Sequence, residues 1–411
     1  MSELICALDI GTTKVCALIG KLDDNNALRV IGAGRTPARG LRRGVVINTV
    51  EAAACIGQAI DAAEAAAGGV TLDSAYVGIS GAHIGAVGSK GVTILGRNGR
   101  KITPEDCQRA LDQARDIALP HNRDIINVIA RSYTVDDNQD VQNPVGMFAY
   151  RLEVDASLII GALSAITNLT NCVTENGVEI EDLVLQPLAS AEAVLTDDER
   201  QAGVAVVDIG GGTTDMAIFL ESAAWHTHVL DVGGDHFVRD VATGLRMPYD
   251  KAELLIRQFG HAQPQLIPPD AEVRGPAFGA DGSQIIPRRS LADIIYFRAE
   301  EVLDLIVDEI KRSGYDGLLP AGVVLTGGVA QLAGIGEMAH DRLSWPVRIG
   351  RPAGIAGATI DLSSPEYATA VGLLLWGLRR DNQPRAATPQ GGAPPWQRVF
   401  GYLKRILPIP T

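Results

Sequence analysis

Two short stretches of similar composition have the residue types needed to bind a polyphosphate. The first is DIGTTK, from Asp9 to Lys14, and the second is DIGGGTTD, from Asp208 to Asp215. In each, an apolar run that favours a strand delivers an aspartate, and the chain then turns on glycine. Glycine lets backbone N–H groups approach a ligand closely, and successive N–H groups in a turn form an anion-binding concavity. Neither stretch has the GxxxxGK[ST] pattern of a P-loop.

Two facing concavities, each with a carboxylate, suit a phosphate chain and Mg²⁺. Mg²⁺ keeps several waters and is held by one or two carboxylates together with phosphate oxygens. We therefore assign Asp9 and Asp208 to the metal. A tight glycine turn with no ligand would explain one such motif, but it does not explain two similar motifs in one chain. The residues expected around the phosphates are Gly11, Thr12, Thr13, Lys14, Gly210, Gly211, Gly212, Thr213 and Thr214.

A third glycine-rich element is VVLTGGVAQ, residues 323–331. A buried strand ends in Gly327 and Gly328 and leads into a helix, so a purine or ribose can rest on bare backbone at the strand's end. Alone this signal is weak, because many strand–helix turns contain two glycines. Together with the two concavities it completes a nucleotide site.

The elements that must position these turns are short strands and amphipathic helices. Periodicity and turn residues predict strands or hairpins at 4–8, 15–20, 28–33, 74–79, 125–135, 149–160, 183–186, 203–220 and 322–326. They predict helices at 49–67, 103–118, 162–176, 189–195, 235–246, 250–260, 290–313 and 364–378. Residues 261–289 are rich in Pro, Gly and Ala and are expected to form irregular loop or short strands. The alternation of strands and helices indicates an α/β fold.

Composition excludes several classes of protein. The 411-residue chain carries a net charge of −13, which argues against a general nucleic-acid binder. No apolar run reaches the ~18 residues of a membrane span, and the N-terminus lacks the basic region of a signal peptide, so we expect a cytoplasmic body. The five cysteines show no CxxC pair and are expected to be free thiols. His226 and His228 alternate along an expected strand and are interpreted as structural.

The glycine motifs as a set resemble the actin-like ATPase superfamily. The resemblance implies two duplicated ribonuclease-H-like halves that clamp ATP and Mg²⁺. LQPLAS, residues 185–190, is similar to the superfamily's first connecting segment, and SPEYATAVGLLLW, residues 364–376, to its second connecting helix. Gln186 falls where actin keeps the glutamine that orients the attacking water. Gln186 and Asp208 are therefore the catalytic candidates.

Within that superfamily the chain resembles the FtsA family of bacterial cell-division proteins. The resemblance rests on GLRRGVVIN (40–48), AYVGISGAHI (75–84), NPVGM (143–147), RLEVDA (151–156) and VGGDHFVRDVATGLRMP (232–248). It implies filament formation, recruitment of other division proteins, and binding of the C-terminal peptide of the tubulin-like FtsZ. The implied subdomains are a first core (1–84, 161–202 and 360–379) with an inserted α+β subdomain (85–160), and a second core (203–240 and 316–359) with a small subdomain over the nucleotide (241–315).

The sequence departs from the family pattern at one residue expected to contact the base and ribose. FtsA relatives commonly show AExLK in the helix that contacts adenine and ribose, and here the segment AELLIRQFG places Ile256 at the lysine position. Glu253 is retained, and Arg257 is the candidate substitute. The other nucleotide contacts that the resemblance implies are Gly234, Gly327, Gly328 and Gln331. The FtsZ peptide is placed in the small subdomain, where Arg288, Arg289 and Arg298 are its candidate partners, although a solvated charged face explains each of them equally well.

The C-terminal segment differs in composition from the body. From Arg379 onward the net charge is +5, so the remainder carries −18. Residues 380–395 are polar and rich in Pro and Gly, which predicts a flexible linker. Residues 396–411 then place apolar side chains at helical spacing, and twelve residues of helix span ~18 Å, too short to cross a bilayer. A helix docked on the body is the alternative to one lying in the interface of anionic inner-membrane lipid. The membrane-binding candidates are Trp396, Arg398, Val399, Phe400, Leu403, Lys404, Arg405, Ile406 and Leu407.

The expected function is that of a peripheral scaffold, on the cytoplasmic side of the membrane at the division site, with slow or conditional ATP turnover. A sugar kinase of the same superfamily would need an acceptor pocket with a general base, and no candidate lies beside the glycine turns. A chaperone ATPase would need a substrate domain after residue 378. A PilM-like pilus-assembly platform shares the fold, but the amphipathic tail and the FtsA-like segments argue against it.

Overall fold

The computed structural model describes residues 4–23, 27–276, 282–357 and 360–382. Two five-stranded mixed sheets form its centre, and their strand topology is the same. In each, three antiparallel strands are followed by two parallel ones. The first sheet contains, in spatial order, Leu28–Pro37, Lys14–Leu22, Leu4–Ile10, Ser74–Ile79 and Glu179–Leu185. The second contains Ala223–Leu230, Thr214–Leu220, Val204–Ile209, Val323–Thr326 and Val347–Ile349.

Helices cover the sheets, and some of them begin or end at recognisable capping residues. Thr49–Ala66 begins where Asn48 accepts a hydrogen bond from the backbone of Glu51, at 3.2 Å. Arg288–Ser313 ends at Gly314, whose φ of +78° favours glycine. The remaining α-helices are Pro104–Arg115, Leu163–Thr174, Gln186–Val194, Asp197–Ala202, Gly234–Gly244, Tyr249–Phe259, Ile335–Arg342 and Ala368–Asn382. Short 3₁₀ helices occupy Pro264–Leu266, Val329–Gln331 and Pro365–Tyr367.

A separate antiparallel sheet interrupts the first half. Its strands are, in spatial order, Asn138–Val141, Arg123–Val135, Arg151–Ala162 and Gly85–Ile94. Helix Pro104–Arg115 packs on it and begins with a capping box of Thr103 and Asp106. The Asp106 carboxylate is buried and accepts two hydrogen bonds from Arg100, at 2.5 and 2.6 Å. Three two-stranded sheets complete the fold: Arg100–Lys101 with Phe148–Ala149, Leu41–Arg42 with Val45–Val46, and Glu272–Pro276 with Ser283–Pro287.

The structure corrects several sequence-based boundaries, adds strand Gly85–Ile94, which was not among those predicted, and gives the expected strand of His226 and His228 the bounds Ala223–Leu230. The strand predicted at 183–186 is Glu179–Leu185, and the next helix begins at Gln186 rather than at residue 189. Pro187 lies in the first turn of that helix, where a missing N–H has no intrahelical partner to lose. The last helix continues to Asn382, so the first three residues of the predicted linker are helical. The rest of that linker and the predicted membrane-binding tail lie outside the described residues.

The two halves are joined where helices Gln186–Val194 and Ala368–Asn382 cross. Their apolar side chains and those of both central sheets belong to one hydrophobic core. The crossing is close because Gly372 has no side chain: a Cβ on Gly372 would overlap the backbone carbonyl of Ala189. No helix among the described residues is long and apolar enough to cross a membrane.

We expect Gly372→Val to destabilise the protein by about 2–4 kcal/mol, because the valine side chain would push the crossing helices apart. Valine has a higher intrinsic helix propensity than glycine, so propensity alone would make the variant more stable. Urea unfolding followed by circular dichroism measures the effect. Gly317→Ala is the control, since nothing lies within 4 Å of its added Cβ. A Gly372→Val protein as stable as the wild type would show that the helices tolerate separation.

Candidate nucleotide-binding site

A cavity of about 540 Å³ lies between the two halves and brings together residues far apart in sequence. Its volume lies within the range of small-molecule sites in proteins. Most of the residues predicted to contact a nucleotide or its metal line it: Asp9, Gly11, Thr12, Thr13, Lys14, Gln186, Asp208, Gly210, Gly211, Gly212, Thr213, Gly234, Glu253, Arg257, Gly327, Gly328 and Gln331. Thr214 is the exception. It is fully buried and donates its hydroxyl to the carbonyl of Val232, at 2.8 Å.

The two glycine turns have the same internal hydrogen bond. Gly11 N–H donates to the carbonyl of Lys14, and Gly210 N–H donates to that of Thr213, both at 2.9 Å. Each turn joins two antiparallel strands that end at the cavity. The two turns meet tip to tip. Their contact is so close that a Cβ on Gly211 would overlap the side chain of Thr13. Only bare backbone fits at this contact.

Three buried carboxylates surround the cavity floor: Asp9 is 5% exposed, Asp208 is 8% exposed and Asp215 is 2% exposed. Burial raises the pKa of Asp9 to about 6, although nearby Lys14 opposes the shift. Burial also raises the pKa of Asp208, against hydrogen bonds from Ser190 at 2.6 Å and Thr369 at 3.1 Å. Buried carboxylates short of positive charge are a donor set that fits a divalent cation.

Asp215 is a cavity residue to which our sequence analysis gave no role. It lies opposite Asp208 in the second hairpin, in the register position that Cys16 occupies opposite Asp9 in the first. Burial raises the pKa of Asp215 to about 7. Its carboxylate accepts hydrogen bonds from Ser80 and, at 2.8 Å, from Thr213. The sequence contained this signal. Seven positions after the first aspartate, the first motif has Cys16 and the second has an acid, Asp215.

Gln186 lies beside the proposed metal position. Its amide Nε2 donates to Oδ1 of Asp9 at 3.3 Å, and its backbone begins the helix after the fifth strand of the first sheet. A side chain held in this way can present an amide to a water near the terminal phosphate. The geometry is therefore suited to orienting a nucleophile rather than to removing its proton.

Lys14 approaches the cavity with charged neighbours that sequence reasoning missed. Lys14 Nζ lies 3.6 Å from Oε2 of Glu366, and Arg35 Nη2 lies 3.1 Å from the same oxygen. Glu366 and Tyr367 belong to the short helix before the last α-helix, and Lys14 Nζ lies 4.8 Å from the centre of the Tyr367 ring. These contacts join residues more than 300 positions apart, so no local pattern could have predicted them.

The opposite side of the cavity is formed by helix Tyr249–Phe259 and the Gly327–Gly328 turn. Ile256, at the position of the family lysine, lines the cavity with an apolar side chain. Arg257 is paired with Glu253 at 2.8 Å, on the same helix. Arg288, predicted to bind a partner peptide, also lines this side of the cavity, and its Nε donates to the carbonyl of Phe259 at 3.0 Å.

The other two candidate partner residues are half-buried and already have internal partners. Arg289 Nε donates to the carbonyl of Ile267 at 2.8 Å. Arg298 is bonded to Asp240 at 2.6 Å and to Glu301 at 2.5 Å, and the Asp240 contact raises its pKa. Of the three arginines, Arg298 is the one shown paired with acids, whereas Arg288 and Arg289 donate to backbone carbonyls. Their role in binding a partner stays a prediction.

The amino-acid sequence of this chain is similar to family models and to proteins of known family. A family model described as cell division protein FtsA matches residues 205–372, and a model of the SHS2 domain inserted in FtsA matches residues 81–160. The chain is 38% identical to cell division protein FtsA of Pseudomonas aeruginosa over 98% of this chain and 97% of the relative. It is 34% identical to cell division protein FtsA of Escherichia coli K12 over 91% of this chain and 90% of the relative.

Solved structures of low sequence identity share the fold. The PilM–PilN type IV pilus biogenesis complex matches with a TM-score of 0.66 at 16% identity, over 92% of this chain and 99% of that one. MreB5 of Spiroplasma citri bound to ADP matches with a TM-score of 0.54 at 14% identity, over 92% of this chain and all of that one. The predicted actin-like fold is confirmed.

We expect Asp215→Asn to stabilise the nucleotide-free protein more at pH 8 than at pH 5. An ordinary aspartate loses its proton near pH 4, whereas Asp215 keeps its proton until about pH 7 in the folded state. The unfolded chain therefore binds fewer protons over this interval, and the wild type loses stability as the pH rises. The difference between variant and wild type should grow by about 2–3 kcal/mol from pH 5 to pH 8.

Urea unfolding at the two pH values measures this difference, with Asp137→Asn, on the exposed surface, as the control. A variant that is less stable than the wild type by the same amount at both pH values would contradict the prediction. The hydrogen bonds from Ser80 and Thr213 would then outweigh the buried charge.

Gly328→Val should weaken nucleotide binding about tenfold or more while leaving stability nearly unchanged. Gly328 lines the cavity, its backbone is right-handed helical, and nothing lies within 4 Å of an added Cβ. The valine would therefore occupy space that a ligand needs. Calorimetric titration with Mg–ATP and thermal unfolding separate the two effects.

The matched variant is Gly327→Val. Gly327 has a φ of +87°, and a Cβ there would overlap Oδ1 of Asp208, so this variant should lose stability. If Gly328→Val bound Mg–ATP as tightly as the wild type, the nucleotide would have to lie elsewhere.

Proposed function

The chain belongs to the FtsA family of cell division proteins, and we propose that it is an ATP-dependent filament that ties an FtsZ ring to the cytoplasmic face of the membrane. The observation that supports this most directly is the cavity between two halves of identical topology. A ligand that contacts both glycine turns at once links the halves, so its binding controls their relative position. A filament subunit can use that position to favour or disfavour contacts with its neighbours.

For the nucleotide we propose ATP with Mg²⁺. Backbone N–H groups of the two turns and Lys14 would contact the phosphates, and Asp9 and Asp208 would hold the metal through its waters. The ion would supply positive charge to the phosphate oxygens and to carboxylates whose pKa is raised by burial. Asp215 would then ionise more easily, because a cation nearby lowers the pKa of an acid.

We infer that turnover is slow or conditional. Gln186 can orient a water, but the buried acid that it contacts, Asp9, is assigned to the metal together with Asp208. Fast hydrolysis needs a group with the correct protonation state in contact with the water. The protein then functions through nucleotide binding and cleft closure rather than through a reaction on a metabolite.

We place the FtsZ peptide on the small subdomain, residues 241–315, on the basis of family resemblance. Arg298 is 19% exposed at its side chain and already contacts two acids. An acidic peptide would have to replace those acids or add to them. Arg289 is engaged with a backbone carbonyl and keeps other N–H groups for a ligand.

Membrane attachment is proposed for the C-terminal segment, residues 396–411, which lies outside the described residues. Three basic side chains near an anionic leaflet contribute about 1 kcal/mol each, and partial burial of the apolar face adds to this. Ordering a helix offsets part of the gain, so one tail alone binds weakly and reversibly. A filament carries many tails, and effective concentration then multiplies retention at the surface.

A PilM-like platform is the second candidate, because the PilM–PilN pilus biogenesis complex shares the fold with a TM-score of 0.66. At 16% identity that match supports the fold alone. Relatives named cell division protein FtsA, at 34–38% identity over nine-tenths or more of the chain, favour the division role.

Electron microscopy of the full chain on an anionic lipid monolayer, with and without Mg–ATP, tests the proposal. We expect ordered filaments with nucleotide and isolated particles without it. Phe400→Asp places a charge on the apolar face of the tail and should abolish filaments on lipid. Gln397→Asp adds the same charge beside that face and is the control.

Equal decoration of the monolayer with and without nucleotide would contradict the coupling of filament formation to ATP. Membrane binding by Phe400→Asp as strong as that of Gln397→Asp would rule out the tail as the anchor. Failure of the full chain to bind the C-terminal peptide of FtsZ, in a sedimentation assay with preformed filaments, would favour the second candidate.

A further inference from the structure

We propose that His226, His228 and Glu309 form a binding site for a divalent transition-metal ion of the zinc class. The site is separate from the nucleotide cavity, since none of the three residues lines that cavity. It does not depend on the proposed function. Among the residues that the structure describes, this is the one group of His, Cys, Asp and Glu with three ligand atoms close enough to share an ion.

The backbone places both imidazoles on one side of a strand. His226 and His228 lie in Ala223–Leu230, the edge strand of the second sheet, and residues two apart on a strand share a face. Their rings are nearly parallel, with an interplanar angle of 11° and centroids 6.3 Å apart. Glu309 extends from the C-terminal part of helix Arg288–Ser313 toward the same face.

The distances from the Glu309 carboxylate to the two imidazole nitrogens are close to those of a metal site. Oε1 of Glu309 lies 2.9 Å from Nε2 of His226 and 3.5 Å from Nδ1 of His228. All three ligand atoms lie within 4.8 Å of one another. A tetrahedral ion with ligands at 2.0–2.1 Å requires them to be about 3.3 Å apart.

The chemistry of the three groups suits a borderline metal. Burial lowers the pKa of His226 and of His228, aided by the nearby cation Arg312, so both imidazoles are neutral and can coordinate at neutral pH. Two imidazoles and one carboxylate favour zinc, cobalt, nickel or copper over magnesium or calcium. Glu309 is 3% exposed at its side chain, whereas the histidines are 25% and 37% exposed. Solvent can therefore reach the ion and supply a further ligand.

Two cations act on this cluster. Arg312 contacts the other carboxylate oxygen, Oε2, and so orients Glu309 while leaving Oε1 directed at the imidazoles. Arg131 of the inserted sheet lowers the pKa of His226. Both positive charges oppose a metal ion and will reduce its affinity. Without an ion, the cluster is an ion pair between buried Glu309 and exposed Arg312, in which Glu309 also bonds to an imidazole. The experiment must distinguish this arrangement from a metal site.

A bound ion would fasten the edge strand to the long helix. The strand residue next to His226 is Trp225, whose carbonyl accepts a hydrogen bond from Arg131 at 3.0 Å. The ion would therefore stiffen the surface of the second half that the inserted subdomain contacts. The measurable consequence is a higher melting temperature in the presence of the metal.

Cobalt titration of the chelator-treated full chain tests the site. We expect visible absorption bands of tetrahedral Co²⁺ that saturate at a single site and disappear when Zn²⁺ is added. His228→Gln and, separately, His226→Gln should weaken Co²⁺ binding about tenfold or more. His340→Gln is the matched control, because His340 is exposed on helix Ile335–Arg342, away from the cluster.

Thermal unfolding with and without Zn²⁺ gives a second readout. Zn²⁺ should raise the melting temperature of the wild type and of His340→Gln but not that of the two cluster variants. Circular dichroism and unchanged Mg–ATP affinity identify variants that are folded. Absence of the tetrahedral bands in the wild type, or equal Co²⁺ affinity in a folded cluster variant, would overturn the proposal and leave the ion pair with Arg312 as the role of Glu309.

Discussion

Burial of three carboxylates around one cavity is the constraint on which the site depends. Asp9, Asp208 and Asp215 are removed from water, and burial raises the pKa of each. Hydrogen bonds from Ser190, Thr369 and Thr213 offset only part of the desolvation. The proposed cation between the two halves would relieve the same electrostatic deficit and so stabilise the fold. In this proposal the deficit couples ligand binding to the relative position of the halves.

The duplicated topology explains how such a cavity is built. Each half places a β-hairpin in the middle of a five-stranded sheet, and each hairpin ends in a glycine turn at the cavity. Tip-to-tip packing of the turns is tight enough to exclude any side chain at Gly211. The two copies are not chemically equal, because the second has Asp215 where the first has Cys16. The second half therefore brings an additional acid, and the first half brings Lys14.

The contacts that hold the halves together lie below the cavity. Helices Gln186–Val194 and Ala368–Asn382 cross at Gly372, and their core includes side chains from both sheets. Residues at the ends of these elements also reach the site: Gln186 begins one helix, and Glu366 precedes the other. A shift at the crossing would thus move groups that line the cavity. Such a linkage is suited to a protein whose assembly responds to a nucleotide.

The sequence by itself determined most of the strands and helices, the duplication and about half of the residues lining the cavity. These follow from local signals, namely hydrophobic periodicity and the glycine turns. Tertiary structure alone decided the contacts of Lys14 and Arg35 with Glu366, the position of Arg288 on the cavity, and the meeting of His226 and His228 with Glu309. Each depends on elements brought together from distant parts of the chain, and residue spacing carries no information about which faces of separate elements will meet. The burial of Thr214 was also decided by tertiary structure, because the packing around its strand determines which residues of the turn face the cavity.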